Sequence, residues 1–98
     1  LKPGDIIEKL SKHNPEQYNL SKAVEELNEL STVLMQKFNK EGGIKEPSNQ
    51  SIIDEIGDVQ IRIDVLKTIF GEKLVQERIL FKLTKYETYI KENKYSKI

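Results

Sequence analysis

Ser51-Ile52-Ile53-Asp54-Glu55-Ile56-Gly57-Asp58-Val59-Gln60-Ile61-Arg62-Ile63-Asp64-Val65-Leu66-Lys67-Thr68-Ile69-Phe70-Gly71 is the stretch on which the fold turns. Ser51 with Asp54 three residues later resembles a capping box, with Asp in place of the usual Glu, and Gly71 supplies a stop; together they predict one long helix. At about 100° per residue, Ile52, Ile53, Ile56, Val59, Ile61, Ile63, Val65, Leu66, Ile69 and Phe70 reach almost all the way round it. A helix apolar on nearly every side expects to be covered on most sides. Two or three neighbours from a chain of 98 residues are few for that task, so a subunit interface is the simplest completion.

Upstream of this helix, Asn14-Pro15-Glu16 offers an N-cap, a first-turn proline and an acid at the positive pole, opening a long second helix that continues to about Asn39. Leu20, Ala23, Leu27, Leu30, Leu34 and Phe38 form its core stripe, and Asn19 is its weakest point. Gly42-Gly43 ends it, and the segment to Gln50, with Pro47, Ser48 and Asn49, reads as a loop. Asp5 is placed to cap a short first helix that runs to about His13. A fourth helix starts near Glu72, with Val75, Ile79, Leu83, Tyr86 and Ile90 as a narrow seam and Arg78, Lys82 and Lys85 in line beside it. No segment alternates apolar and polar residues for long enough to suggest a strand. The expectation is an all-α, single-domain four-helix bundle over residues 1–98, completed by homo-oligomerisation to a dimer or tetramer.

Charge narrows the function classes. The 16 basic and 16 acidic residues cancel, which leaves no net field to draw the chain towards nucleic acid or an anionic membrane. Without cysteine, thiolate metal sites, disulfides and a cysteine nucleophile are excluded. No apolar run approaches the ~18 residues of a membrane span, and Leu1 to Asp5 shows no targeting pattern. A cytoplasmic location is expected.

The residues that suggest chemistry are acids. Glu25, Glu26 and Glu29 fall on one side of the second helix, and Glu55 and Asp58 on one side of the third. Acidic runs are usually solvated surface. Here, however, Glu29 and Glu55 have no basic residue three or four positions away, whereas Lys22 can serve Glu25 or Glu26 and Arg62 can serve Asp58. Glu55 also projects between Val59, Leu66 and Ile69, where a lone carboxylate is costly or takes up a proton. A divalent cation reverses that penalty, and oxygen-only donors select Mg²⁺, with Mn²⁺ as the alternative.

Glu25-Glu26-x-x-Glu29 followed by Glu55-x-x-Asp58 resembles the signature of the MazG-like all-α nucleoside triphosphate pyrophosphohydrolases. Lys22 to Leu30, Asp54 to Val59 and Lys82 to Lys85 are each similar to family segments, so the likeness spans roughly residues 15–90. It implies Mg²⁺-dependent hydrolysis of a nucleoside triphosphate to the monophosphate and pyrophosphate. Glu26, Glu29, Glu55 and Asp58 would be the metal ligands; Glu25 would join a second metal or accept the water's proton. Lys82 and Lys85, with Arg78 beside them, would bind phosphate. Tyr86 departs from the Asn common at its position in the family. His13, the sole histidine, reads as a helix-end residue, and the absence of Glu-x-x-His removes the ligand pair of a di-iron bundle. The competing reading is a non-catalytic helical module whose charges specify oligomerisation.

Overall fold

The computed structural model describes residues 1–39 and 46–98, which leaves the expected Gly42-Gly43 terminator outside the described residues. Four helices follow in order: α1 (Pro3–His13), α2 (Glu16–Phe38), α3 (Asn49–Phe70) and α4 (Glu72–Lys91), with a closing 3₁₀ turn at Tyr95–Lys97. No strand occurs among the described residues.

Helix ends differ from the sequence expectation by a few residues, each for a local reason. α1 begins before Asp5, which sits at the third helical position, and its carboxylate accepts the Lys2 backbone N–H at 3.3 Å. Asn14 closes α1 instead of opening α2; Pro15 holds the N-cap position, and its carbonyl accepts from Asn19 N at 3.2 Å. α3 starts two residues before Ser51, because Ser48 is its true cap: Ser48 Oγ accepts from Ser51 N at 3.1 Å. Asp54, assigned to the capping box, instead accepts from Gln50 Nε2 at 2.8 Å. Gly71 alone separates α3 from α4, with φ of +121°, a conformation that side-chain-bearing residues rarely adopt. A Cβ there would also sit 3.2 Å from Leu74 Cδ1.

α3 is the hub, packing extensively on α2, less on α1 and only sparsely on α4. The buried set is small: Ala23, Val59 and Val65, with Asn19 the one polar member among the described residues. Asn19 is 1% exposed; its Nδ2 donates to the Leu10 carbonyl at 3.4 Å, linking α2 to α1, while its Oδ1 is buried without a partner. The predicted seam of α4 is only sparsely docked: Val75 and Tyr86 are half-buried, while Ile79, Leu83 and Ile90 are exposed. α2 likewise leaves Leu27, Leu34 and Phe38 of its stripe exposed, as α3 leaves Ile53, Ile56, Ile61 and Phe70. The radius of gyration, 16.9 Å, exceeds the ~13 Å of a compact chain of this size. No helix is long and apolar enough to cross a membrane among the described residues.

Candidate metal centre

α2 and α3 run antiparallel, so facing positions move in opposite directions along the chain. Glu29 lies by Glu55, Glu26 is within electrostatic reach of Asp58, and Lys22 is within reach of Arg62. This register brings one carboxylate oxygen each from Glu26, Glu29 and Glu55 to within 4.8 Å of one another. Glu26 and Glu55 are half-buried, while Glu29 faces solvent. The Oε2 atoms of Glu26 and Glu55 are both buried and accept no hydrogen bond. Buried acceptors are usually satisfied, and these two oxygens are open to a cation as their partner.

Burial raises the Glu26 carboxyl above the ordinary carboxylate range, and the charges of Glu29, Asp58 and Glu25 push it the same way. Arg62 pulls it partly back. Converging carboxylates of this kind are unfavourable alone and become favourable around a divalent cation. Their all-oxygen donor set, with two buried unpartnered acceptors, fits a hard ion such as Mg²⁺ or Mn²⁺.

The other expected site residues are placed less closely. Asp58 is exposed one turn beyond Glu55 and stands outside the three-oxygen cluster, although its charge reaches Glu26. Glu25 is exposed and ion-paired to Lys22 at 3.2 Å, and Lys22 in turn lies 5.7 Å from the Tyr18 ring centre. On α4, each cation rests over an aromatic ring of its own helix: Arg78 over Phe81, Lys82 over Tyr86 and Lys85 over Tyr89. None of the three forms an ion pair among the described residues. His13 is exposed at the end of α1, away from the acids of the α2–α3 seam. A broad open trough of about 800 Å³ runs along α1, lined by Leu1, Ile6 and Leu10 among others, and contains none of the clustered acids.

Sequence reasoning underrated Arg62. It assigned the guanidinium to Asp58, but the two form no ion pair, and Arg62 is half-buried with Nη1 buried and unpartnered. The available signal was the antiparallel register, which sets position 62 opposite Lys22 and beside the Glu26 turn. No family model, curated protein or solved structure matches the chain. The resemblance to the MazG-like enzymes therefore stands on the sequence alone: the five acids in their order and spacing, with the segments Lys22 to Leu30, Asp54 to Val59 and Lys82 to Lys85.

Proposed function

We propose that this protein is a Mg²⁺-dependent nucleoside triphosphate pyrophosphohydrolase of MazG-like type, working as a homodimer or homotetramer. The observation that carries the reading is the meeting of Glu26, Glu29 and Glu55 across two helices, with two buried oxygens lacking any partner. Those three residues, with Asp58 one turn away, would hold the metal. A Mg²⁺ ion held there would neutralise phosphate oxygens and lower the pKa of a water, the nucleophile for in-line attack on the α-phosphorus. Glu25, outside the cluster and ion-paired to Lys22, would join a second metal or accept the proton of that water. The bond between the α and β phosphates breaks, and pyrophosphate leaves with the electron pair. The substrate is a standard, deoxy or modified nucleoside triphosphate.

Assembly belongs to the same reading. A chain with so few buried side chains and a sparsely docked α4 gains most by pairing with a second copy. The phosphate-binding role of Lys82, Lys85 and Arg78 requires that α4 meet the acids across such an interface, since within one chain α4 contacts α2 marginally at most. Incubating the protein with a panel of nucleoside triphosphates and Mg²⁺, with chelator controls, tests the proposal. Pyrophosphate release that stops on chelation is expected. A folded protein that releases none from any nucleotide would instead favour the oligomerisation module.

A further inference from the structure

Among the described residues, the buried side-chain atoms without a hydrogen-bond partner are Asn19 Oδ1, Glu26 Oε2, Glu55 Oε2 and Arg62 Nη1. All four belong to α2 and α3, and three of them are acceptors. Arg62 Nη1 is the lone donor. It lies one turn beyond Asp58 on α3, near enough to Glu26 and Lys22 for its charge to act on both. Yet Arg62 forms no ion pair or hydrogen bond with any described residue. The neighbouring cation, Lys22, is already committed to Glu25.

We infer that Arg62 is a substrate contact: its guanidinium takes a phosphate oxygen of the polyphosphate chain beside the metal held by Glu26, Glu29 and Glu55. The inference rests on the proposed metal site and goes beyond it by assigning an anion ligand on α3, where the sequence reading looked only to α4. Three physical points support it. Arg62 is half-buried with its Nη1 withdrawn from solvent, and a donor so placed favours an acceptor beside it. A divalent ion engages the nearby carboxylates and cancels their pull on Arg62, leaving an uncompensated cation at the edge of the metal site. A planar, permanently charged fork suits a phosphate better than an ammonium does. By contrast, Arg78, Lys82 and Lys85 already rest on rings of their own helix.

The test compares wild type, Arg62→Gln and Arg62→Lys in two titrations: Mn²⁺ alone, followed by electron paramagnetic resonance, and inorganic pyrophosphate in the presence of Mg²⁺, followed by calorimetry. Arg62→Gln is expected to bind pyrophosphate about ten-fold or more weakly, the loss of a charge-assisted contact. It should bind Mn²⁺ as tightly as wild type or more so, because a cation beside the carboxylates has gone. Arg62→Lys keeps the charge without the fork and is expected to lose several-fold in pyrophosphate affinity; it serves as the test if Arg62→Gln does not fold. Unchanged pyrophosphate affinity in a folded variant, with Mn²⁺ binding intact, would make Arg62 a structural counter-charge and overturn this inference alone. A wild type that binds no Mn²⁺ would overturn the metal site and this inference with it.

Discussion

The α2–α3 hairpin and α4 are each incomplete, in different ways. The hairpin contains every buried side chain among the described residues, and besides its exposed apolar residues it carries unpartnered polar atoms: Asn19 Oδ1, the Oε2 atoms of Glu26 and Glu55, and Arg62 Nη1. α4 is well formed along its 20 residues but buries none of them, and Leu74, Leu80, Phe81 and Leu83 are each more than half exposed. What α4 lacks is apolar cover. A cation and a phosphate can satisfy the carboxylates and the guanidinium; only protein surface can satisfy α4. On the proposed reading the metal site belongs to the hairpin and the sparsely docked surface of α4 to assembly, and each assignment can be broken separately.

The largest effect is expected in the hairpin. Glu55→Gln should lower turnover by about 100-fold or more, through lost metal ligation, while the metal-free protein melts at the same temperature or higher, because one of three converging like charges, itself half-buried, is removed. Steady-state kinetics beside melting curves check both halves. A variant with wild-type activity would empty the hairpin of its chemistry. For α4, light scattering at micromolar concentration should find a dimer or tetramer. Leu83→Glu should shift it towards monomer by about 2 kcal/mol, the worth of burying one leucine, or roughly thirty-fold in Kd. A folded, active 11.4 kDa monomer would remove the case for assembly.

The boundary between the two regions is sharpened by the α4 cations. Lys82→Ala and Lys85→Ala are each expected to lower kcat/KM about ten-fold, near 1.4 kcal/mol, and Arg78→Ala less, with little change in Tm. Unchanged kcat/KM in both lysine variants would return all phosphate binding to the hairpin. The smallest effect is a pH slope. Glu26 has a folded-state pKa above its ordinary 4.5, so between the two values the folded chain binds more protons than the unfolded one. Metal-free stability should therefore fall as pH rises from 4.5 through the folded pKa, and Glu26→Gln should flatten that part of the melting profile.

Much of this was legible before the coordinates. Helix order, the Gly71 break and the half-buried position of Glu55 all follow from local spacing and helical period, which sequence carries directly. The caps were displaced because Ser48 and Ser51 are equally good candidates by type, and only the path of the backbone selects Ser48. The burial of Asn19 and the setting of Arg62 were not legible for a related reason: what a polar residue on a helix meets depends on what lies opposite, and that is set by the register between helices. The docking of α4 was expected from its seam, but a seam does not say whether its cover comes from the same chain.

The claim at the centre of the account is that the acids between α2 and α3 form a divalent-cation site, and titration of Mn²⁺ followed by electron paramagnetic resonance addresses it without reference to any substrate. The account predicts saturable binding at neutral pH, displacement by Mg²⁺, and loss of the bound signal in Glu55→Gln. Saturable binding that is equal in wild type and Glu55→Gln, or no binding by the folded wild type, would contradict it.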